Sequence, residues 1–558
     1  MIPQFNPLSS FYPLSLFANG EPGFWLDPSD FSAMYQDAAG TTAVTAVEQP
    51  VGLILDKSQG LVLGAELVTT YVASGAFGNW NGMSLAGGVL TTSGAPVNGY
   101  SAQVPVTASA MYKVVLPSAS VPVGGTWSYV VSWSANGVSY SGQVMTAAIG
   151  SLSFYFLAPA TATKCEVTIQ RTGASSGGAT DTCTFNGFSV KKIAGTHYYQ
   201  STAGVRPVLS ARVNLLTKTE FPSGVSDLVF KTALVTSSTL SGYAGAVAFG
   251  FDGVADAIGY KNIATAATSH TLSVVVSMDD GNAPVFGSAT GSAATNTFMF
   301  VLAGNGTAPT SNTVTSLGGG LYRVSIAVTG NVSATNFGIL KYHTNDSRTF
   351  KTTAWDIRPT DQFNALISQY QYVNTSTDYT TAGFPLYLSG NGTQWMQCAA
   401  QDYTGVNKML VCAGVRKLSD AGSAMVVELS ASLGANNGTF YLLTAANEYD
   451  AASKGTTANA KAATTYTAPI TNVLAMTADI SAPSLKLRIN AVDKISDTST
   501  QGTGNYGNYP AYLFSRAGSS LFFTGQLTQI IARGSTVASN AAQISAAESW
   551  TDLKTKAY

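Results

Sequence analysis

The sequence predicts an all-β chain: several antiparallel β-sandwich (jelly-roll) domains in series, followed by a short C-terminal helix. Three observations carry this. Apolar and polar residues alternate with period two in stretch after stretch, as half-buried antiparallel strands require. Gly, Asn, Ser and Pro clusters separate these stretches and supply the positive-φ positions of tight turns. Long helical periodicity is nearly absent over the 558 residues, and no repeat of roughly 20 to 50 residues marks a solenoid or propeller.

Taken in order, residues 1–60 are Pro-rich and acidic, with Glu21, Asp27, Asp30, Asp37, Glu48 and Asp56 preceding the first basic residue, Lys57. This region is expected to form little core by itself. Residues 61–195 read as one sandwich: in WSYVVSWSA, Trp127, Tyr129, Val131 and Trp133 point one way and Ser128, Ser132 and Ser134 the other, and Cys165, Val167 and Ile169 repeat the pattern. A linker, 196–212, leads to a second sandwich at 213–359, where Tyr322, Val324, Ile326 and Val328 alternate with polar residues. The layout of this region parallels that of its predecessor, as a degenerate repeat would. The last region, 360–558, contains the alternating Leu485, Leu487 and Ile489 and the helix candidate ASNAAQISAAESWTDLKTKA, whose inner face is expected to hold Ile544, Ala547 and Leu553.

Composition narrows the function. Charged residues make up 10% of the chain and the net charge is -1, which excludes a nucleic-acid binder working through clustered Lys and Arg. With 45% apolar residues the chain is not disordered. The opening segment lacks the basic start of a secretory signal, and no apolar run approaches the ~20 residues of a spanning helix, so membrane insertion is not expected.

Four cysteines, Cys165, Cys183, Cys398 and Cys412, have no metal-ligand spacing. Two readings stand: cross-strand pairs 165–183 and 398–412, each flanking a turn segment, or buried free thiols of a protein made in a reducing cytoplasm. His197, His270 and His343 each read as surface or hydrogen-bonded side chains rather than as catalytic bases. No cofactor is expected. Asp279 with Asp280, or Asp252 with Asp256, offers oxygen ligands for Ca²⁺ without the spacing of a defined loop, and a turn explains DDGN as well. Sugar binding needs flat aromatic faces among amides and hydroxyls on loops. Tyr506 and Tyr509 in GNYGNYP, Trp80 in GNWNG and Tyr403 in QDYTG are the candidate ligand-binding residues; the alternative is that they cover sandwich ends.

The run Gly20 to Gly60 resembles a segment of tailed-phage virion proteins. Pro22, Gly23, Trp25, Asp27, Pro28, Ser29 and Asp30 match its start, and Asp37, Gly40, Thr41, Thr42, Pro50, Val51 and Gly52 its continuation. After Asp56, Lys57 and Ser58 the pattern breaks off, and a comparable string returns only at Thr196 to Leu216, as if residues 61–195 were inserted into it. Regions two and three resemble carbohydrate-binding-module-like jelly rolls of phage fibres, and the last resembles a LamG or concanavalin A-like sandwich, through SLKLRINAV and GSSLFFTGQLTQIIARG. The resemblance implies a non-catalytic virion surface protein, a tail fibre, head fibre or decoration component. Such a protein is made in the host cytoplasm and is a homotrimer by family habit. It attaches to other virion proteins through its N-terminal segment and displays sandwiches toward host-surface glycan. A purely structural collar protein and a polysaccharide depolymerase are the alternatives.

Overall fold

The computed structural model describes residues 11–558 except 72–80, 83, 87, 92–96, 117–125, 136–142, 149–151, 173–181, 223, 226–228, 231–234, 251–256, 263–269, 285–297, 304–311, 329–335, 342–348, 360–369, 376–377 and 380–382. Its sheets are antiparallel almost throughout, and the single α-helix among the described residues is Ala541–Thr555. No helix among them is long and apolar enough to cross a membrane.

The largest sandwich joins the two ends of the chain. One nine-stranded sheet runs in the order Gln49–Pro50, Val208–Ser210, Tyr387–Asn391, Thr524–Ser535, Lys408–Lys417, Ile470–Asp479, Ser484–Ile489 and Val492–Asp497, with Gly23–Leu26 also paired to Thr524–Ser535. The facing sheet, also nine-stranded, begins Met34–Tyr35, Leu53–Ile54, Tyr198–Tyr199 and continues through Met396–Cys398, Ala511–Leu513, Ala424–Leu429, Thr439–Ala445, Glu448–Lys454 and Ala458–Thr464. The N-terminal region therefore does not stand apart. Phe24, Leu26, Met34, Val44, Val51 and Ile54 enter one core with Leu388, Val411, Phe440, Leu474, Leu485 and Ile530. Its acids are engaged internally as well: Lys57 bridges Asp27 at 3.3 Å and Asp30 at 2.7 Å while lying 4.5 Å over the Trp25 ring.

Residues 61–195 leave and re-enter this sandwich at neighbouring strands, Leu53–Ile54 pairing directly with Tyr198–Tyr199. Their own sheets enclose a core of Tyr112, Val114, Phe154 and Phe156 against Val104, Trp127, Val131, Val167 and Ile169. Alternation holds on that inner side, but the outward Ser132, Ser134, Glu166 and Thr168 are buried too, so these strands are covered on both faces. Residues 213–359 form a four-stranded and a six-stranded sheet. At their base the buried Asn214 and Gln371 tie the entering and leaving chain: Val213 and Asn214 amides donate to Gln371 Oε1 at 2.8 and 2.9 Å, and Asn214 Nδ2 donates to the Trp355 and Gln371 carbonyls.

The helix opens with a capping box in which Asn540 and Gln543 satisfy each other's backbone amides. Its inner face is Ala547, Glu548, Thr551 and Thr555, whereas Leu553 is 60% exposed, a correction to the expected apolar face. The sheet beneath sets small apolar side chains, Cys412, Val473, Ala475 and Ile531, around Ala547 and polar partners along the rest of the helix. Arg488 Nε donates to Glu548 at 2.9 Å, Gln529 Nε2 to Thr551 Oγ1 at 2.9 Å, and the Thr528 and Thr555 hydroxyls meet at 2.7 Å. Gly414 is required there, since a Cβ would lie 1.9 Å from Thr555 Oγ1.

All four cysteines are free and buried. The expected pairs do not face each other: Cys165 lies opposite Trp133 and Val104, Cys183 opposite Leu90, Cys398 opposite Tyr198, and Cys412 between Ala475 and Ile531. The free-thiol reading is the one the structure shows.

Candidate functional site

Two of the four sequence candidates turn inward. Tyr506 is 1% exposed, and its hydroxyl meets Ser453 Oγ at 2.7 Å. Tyr403 is fully buried and donates to Gln401 Oε1 at 2.9 Å. Burial pushes both phenols far above their ordinary range. Backbone stitching is the reason: Tyr403 N donates to Gly507 O, Tyr506 N to Val406 O and Gly507 N to Gly438 O, and at Gly438, with φ +67°, a Cβ would lie 2.6 Å from Asn505 O. Loop glycines that signalled exposure instead let three loops close over the sandwich end. Tyr509 is half-buried on the short strand Asn508–Tyr509, which pairs with Gln401–Asp402. Trp80, Asp252 and Asp256 lie outside the described residues. Asp279 is held by Thr349 and Lys351, and Asp280 Oδ1 accepts the Asn282 amide at 2.9 Å, a turn, with no metal-like cluster among the described residues.

An aromatic surface does exist, on the outer face of the sheet that begins Met34–Tyr35. Cross-strand register places Tyr35, Leu53, Tyr199, Gln397, Tyr512, Glu428 and Tyr441 in one transverse row over seven strands. Side chains in register on adjacent strands share a face. At one end Tyr35, Leu53 and Tyr199 pack against Met111, Tyr155 and Ile193 of residues 61–195, and Glu428 and Tyr441 are buried, which leaves Gln397, Tyr512 and the neighbouring Trp395 as the partly exposed group. Tyr199, Gln397 and Tyr512 are half-buried, and Trp395, two residues before Gln397, adds its ring 6.3 Å from that of Tyr512. Gly518, at φ +66°, lies against Trp395 where a Cβ would be 2.6 Å from the ring, so the loop backs the indole closely.

Polar groups flank the rings. Gln397 Nε2 donates to the Tyr199 hydroxyl at 3.2 Å. Arg516 donates to both oxygens of the buried Glu428, at 2.8 and 3.2 Å, and Glu428 Oε1 also accepts the Leu433 amide. Tyr441 donates to Asp450 Oδ2 at 2.9 Å, and burial raises the pKa of Asp450 above the usual carboxylate range. Partly exposed rings bordered by amide, hydroxyl and guanidinium groups can stack on a pyranose and read its hydroxyls. The row was missed in the sequence because its members come from seven strands spread over more than 400 residues; the local signal, a Trp and Gln two apart in TQWMQ, marks one strand only.

No protein family matches the chain, and no curated protein does. Among solved structures it is similar to the Ruminococcus gnavus IT-sialidase CBM40, with 13% identity over 26% of this chain and 84% of that one at a TM-score of 0.22. The binding domain of botulinum neurotoxin serotype G gives 9% identity over 31% and 44% at 0.26, and that of Paraclostridial Mosquitocidal Protein 1 gives 13% over 30% and 43% at 0.23. At these TM-scores the likenesses carry no argument.

Proposed function

We propose that the chain is a phage virion surface protein, a tail fibre, head fibre or decoration component, that binds host-surface glycan through the transverse row centred on Tyr199, Gln397 and Tyr512. The observation that carries the glycan part is the register itself: two partly exposed tyrosines, Tyr199 also packing against the inserted sandwich, flank an amide on three adjacent strands, with Trp395 beside them. The virion part rests on the Gly20 to Gly60 resemblance. Within that segment the acids are engaged internally, which leaves the exposed turn at 41–43 as the part offered to other virion proteins. A homotrimer would multiply weak sugar contacts by avidity.

Binding without catalysis is the favoured chemistry. Of the carboxylates on this face, Glu428 is held by Arg516 and the Leu433 amide, and Asp450 accepts from Tyr441 through Oδ2. Glycoside cleavage needs one free carboxylic acid and one free carboxylate across the sugar.

The test is an adsorption assay in which purified protein, its oligomeric mass measured by light scattering, is mixed with host cells before the phage encoding it, and free phage are counted. Wild-type protein blocks adsorption and a folded Tyr512→Ala variant does not. Equal failure of both to block sinks the adhesin reading in favour of a structural collar protein. Release of reducing ends from host polysaccharide, lost in Glu428→Gln, replaces it with the depolymerase reading. Deleting residues 360–558 is not a usable control, because it strips the strands on which Gly23–Leu26 and Tyr198–Tyr199 pair.

A further inference from the structure

On the opposite side of the same sandwich, the outer face of the sheet containing Lys408–Lys417 carries a cleft of about 220 Å³ beside the start of the helix. Alternation builds it. Met409, Ala478, Leu485 and Ala532 point into the core, so their neighbours Lys408, Thr477, Asp479, Ser484, Lys486 and Arg533 point out. Register sets Lys408 opposite Asp479 and Asp479 opposite Ser484, with Leu410 opposite Thr477 and Thr477 opposite Lys486. Leu410 and Ile544 supply apolar lining. The volume is below the roughly 300 to 1,000 Å³ of sites that engulf a drug-sized ligand and suits a single ring.

Its charges are unevenly matched. Arg533 is engaged through all three of its nitrogens, by Glu21, the Leu16 carbonyl and Ser539. Lys408 reaches Asn407 and Ser481 at 3.0 and 2.9 Å and Asp479 at 3.5 Å. Lys486, half-buried, has no hydrogen-bond acceptor or ion-pair partner among the described residues. An ammonium without a protein acceptor, bordered by hydroxyls and an aliphatic patch, is complementary to a hydroxylated ring bearing an anionic group.

We propose that this cleft binds the carboxylate-bearing residue of an acidic glycan, with Lys486 taking the carboxylate and the Thr477 and Ser484 hydroxyls reading the ring. The inference rests on the glycan-binding reading above and adds a second, charge-selective site on the other sheet.

The experiment is binding of the full chain to an array of oligosaccharides in matched pairs, each pair identical except for a uronic acid in place of a neutral hexose. Variants are Lys486→Met, Lys486→Arg and Tyr512→Ala, each with its melting curve. Expected are about tenfold stronger binding of the uronate members in low salt, loss of that preference in Lys486→Met, and its return in Lys486→Arg. Equal binding of both members, unchanged by Lys486→Met but weakened by Tyr512→Ala, overturns the acidic-site proposal and leaves the aromatic row standing. Binding to no glycan overturns both.

Discussion

Arg533 and Glu21, 512 residues apart, form an ion pair at 2.7 Å that ties the entry segment to the last strand, with Arg533 Nε also donating to the Leu16 carbonyl at 2.7 Å. The pair is largely buried, and breaking one side strands a charge. Partial burial pushes the Glu21 carboxyl up, but hydrogen bonds from Arg533 and Asn19 outweigh it and hold the group below its ordinary value. A depressed carboxylate adds stability that is present above the ordinary glutamate range and is lost as pH falls through the folded value.

Arg533→Met is therefore expected to cost about 3 kcal/mol at pH 7. Chemical denaturation at pH 7 and pH 3.5 checks it, the difference from wild type shrinking at the lower pH. Equal differences at both would show that lost packing, not the ion pair, is responsible.

Asp56 and His197 meet at the base of residues 61–195, and they titrate in opposite senses. The Asp56 carboxylate accepts the Trp25, Ser58 and Thr196 amides and the Ser58 hydroxyl, while the Asp56 amide donates to His197 Nδ1 at 2.9 Å. Complete burial raises Asp56 to about 6 against these donors and lowers His197 to about 3. The raised acid contributes stability that is full below its unfolded value and lost as pH rises through about 6. The depressed imidazole contributes stability present above 6.5 and lost as pH falls toward about 3. Between roughly pH 4 and 6 the two slopes cancel. His197→Asn keeps an acceptor for the Asp56 amide and removes one slope, so relative to wild type it gains about 1.4 kcal/mol per pH unit on acidification through this window. Urea midpoints at pH 6 and 4.5 measure it; parallel behaviour of variant and wild type would refute the coupling.

Tyr512 and Tyr506 separate surface from core. Tyr512→Ala is expected to weaken glycan binding about tenfold with little change in melting temperature. Tyr506→Phe, which removes the hydroxyl that meets Ser453, is expected to cost about 1 kcal/mol of stability and leave binding intact. Titration calorimetry with a bound oligosaccharide, paired with thermal melts, distinguishes the two; a binding loss in Tyr506→Phe without destabilisation would return the site to the GNYGNYP loop.

The cysteines are expected to be silent until the chain unfolds. Burial raises all four thiols, Cys183 to about 11 and Cys398 and Cys412 to about 12, so the reactive thiolate is scarce. A colorimetric thiol reagent should find none in the native protein and four in denaturant without reductant. Two or none in denaturant would indicate disulfides.

How much was legible follows from the range of each interaction. Alternation at Trp127 to Trp133 and at Leu485 to Ile489 placed inward side chains correctly, because the pleat fixes direction within a strand. The helix was visible from its cap and terminal Lys, but not its inner face, because two polar partners on the sheet below, Arg488 and Gln529, chose Glu548 and Thr551 over Leu553. Tyr403 and Tyr506 were misplaced for a related reason: loop glycines permit close packing as readily as exposure, and only the neighbouring loops decide.

By itself the sequence determined what depends on neighbours along the chain: the β period, the turns, the capped helix and a low charge unsuited to phosphate backbones. Tertiary structure alone decided which strands lie side by side, and with that the nesting of residues 11–58 into the C-terminal sandwich, the row from Tyr35 to Tyr441 and the cleft around Lys486. The physical reason is that an antiparallel ladder pairs any backbone with any other. Partner and register are selected by the burial of many side chains at once, a sum that no local stretch of sequence contains.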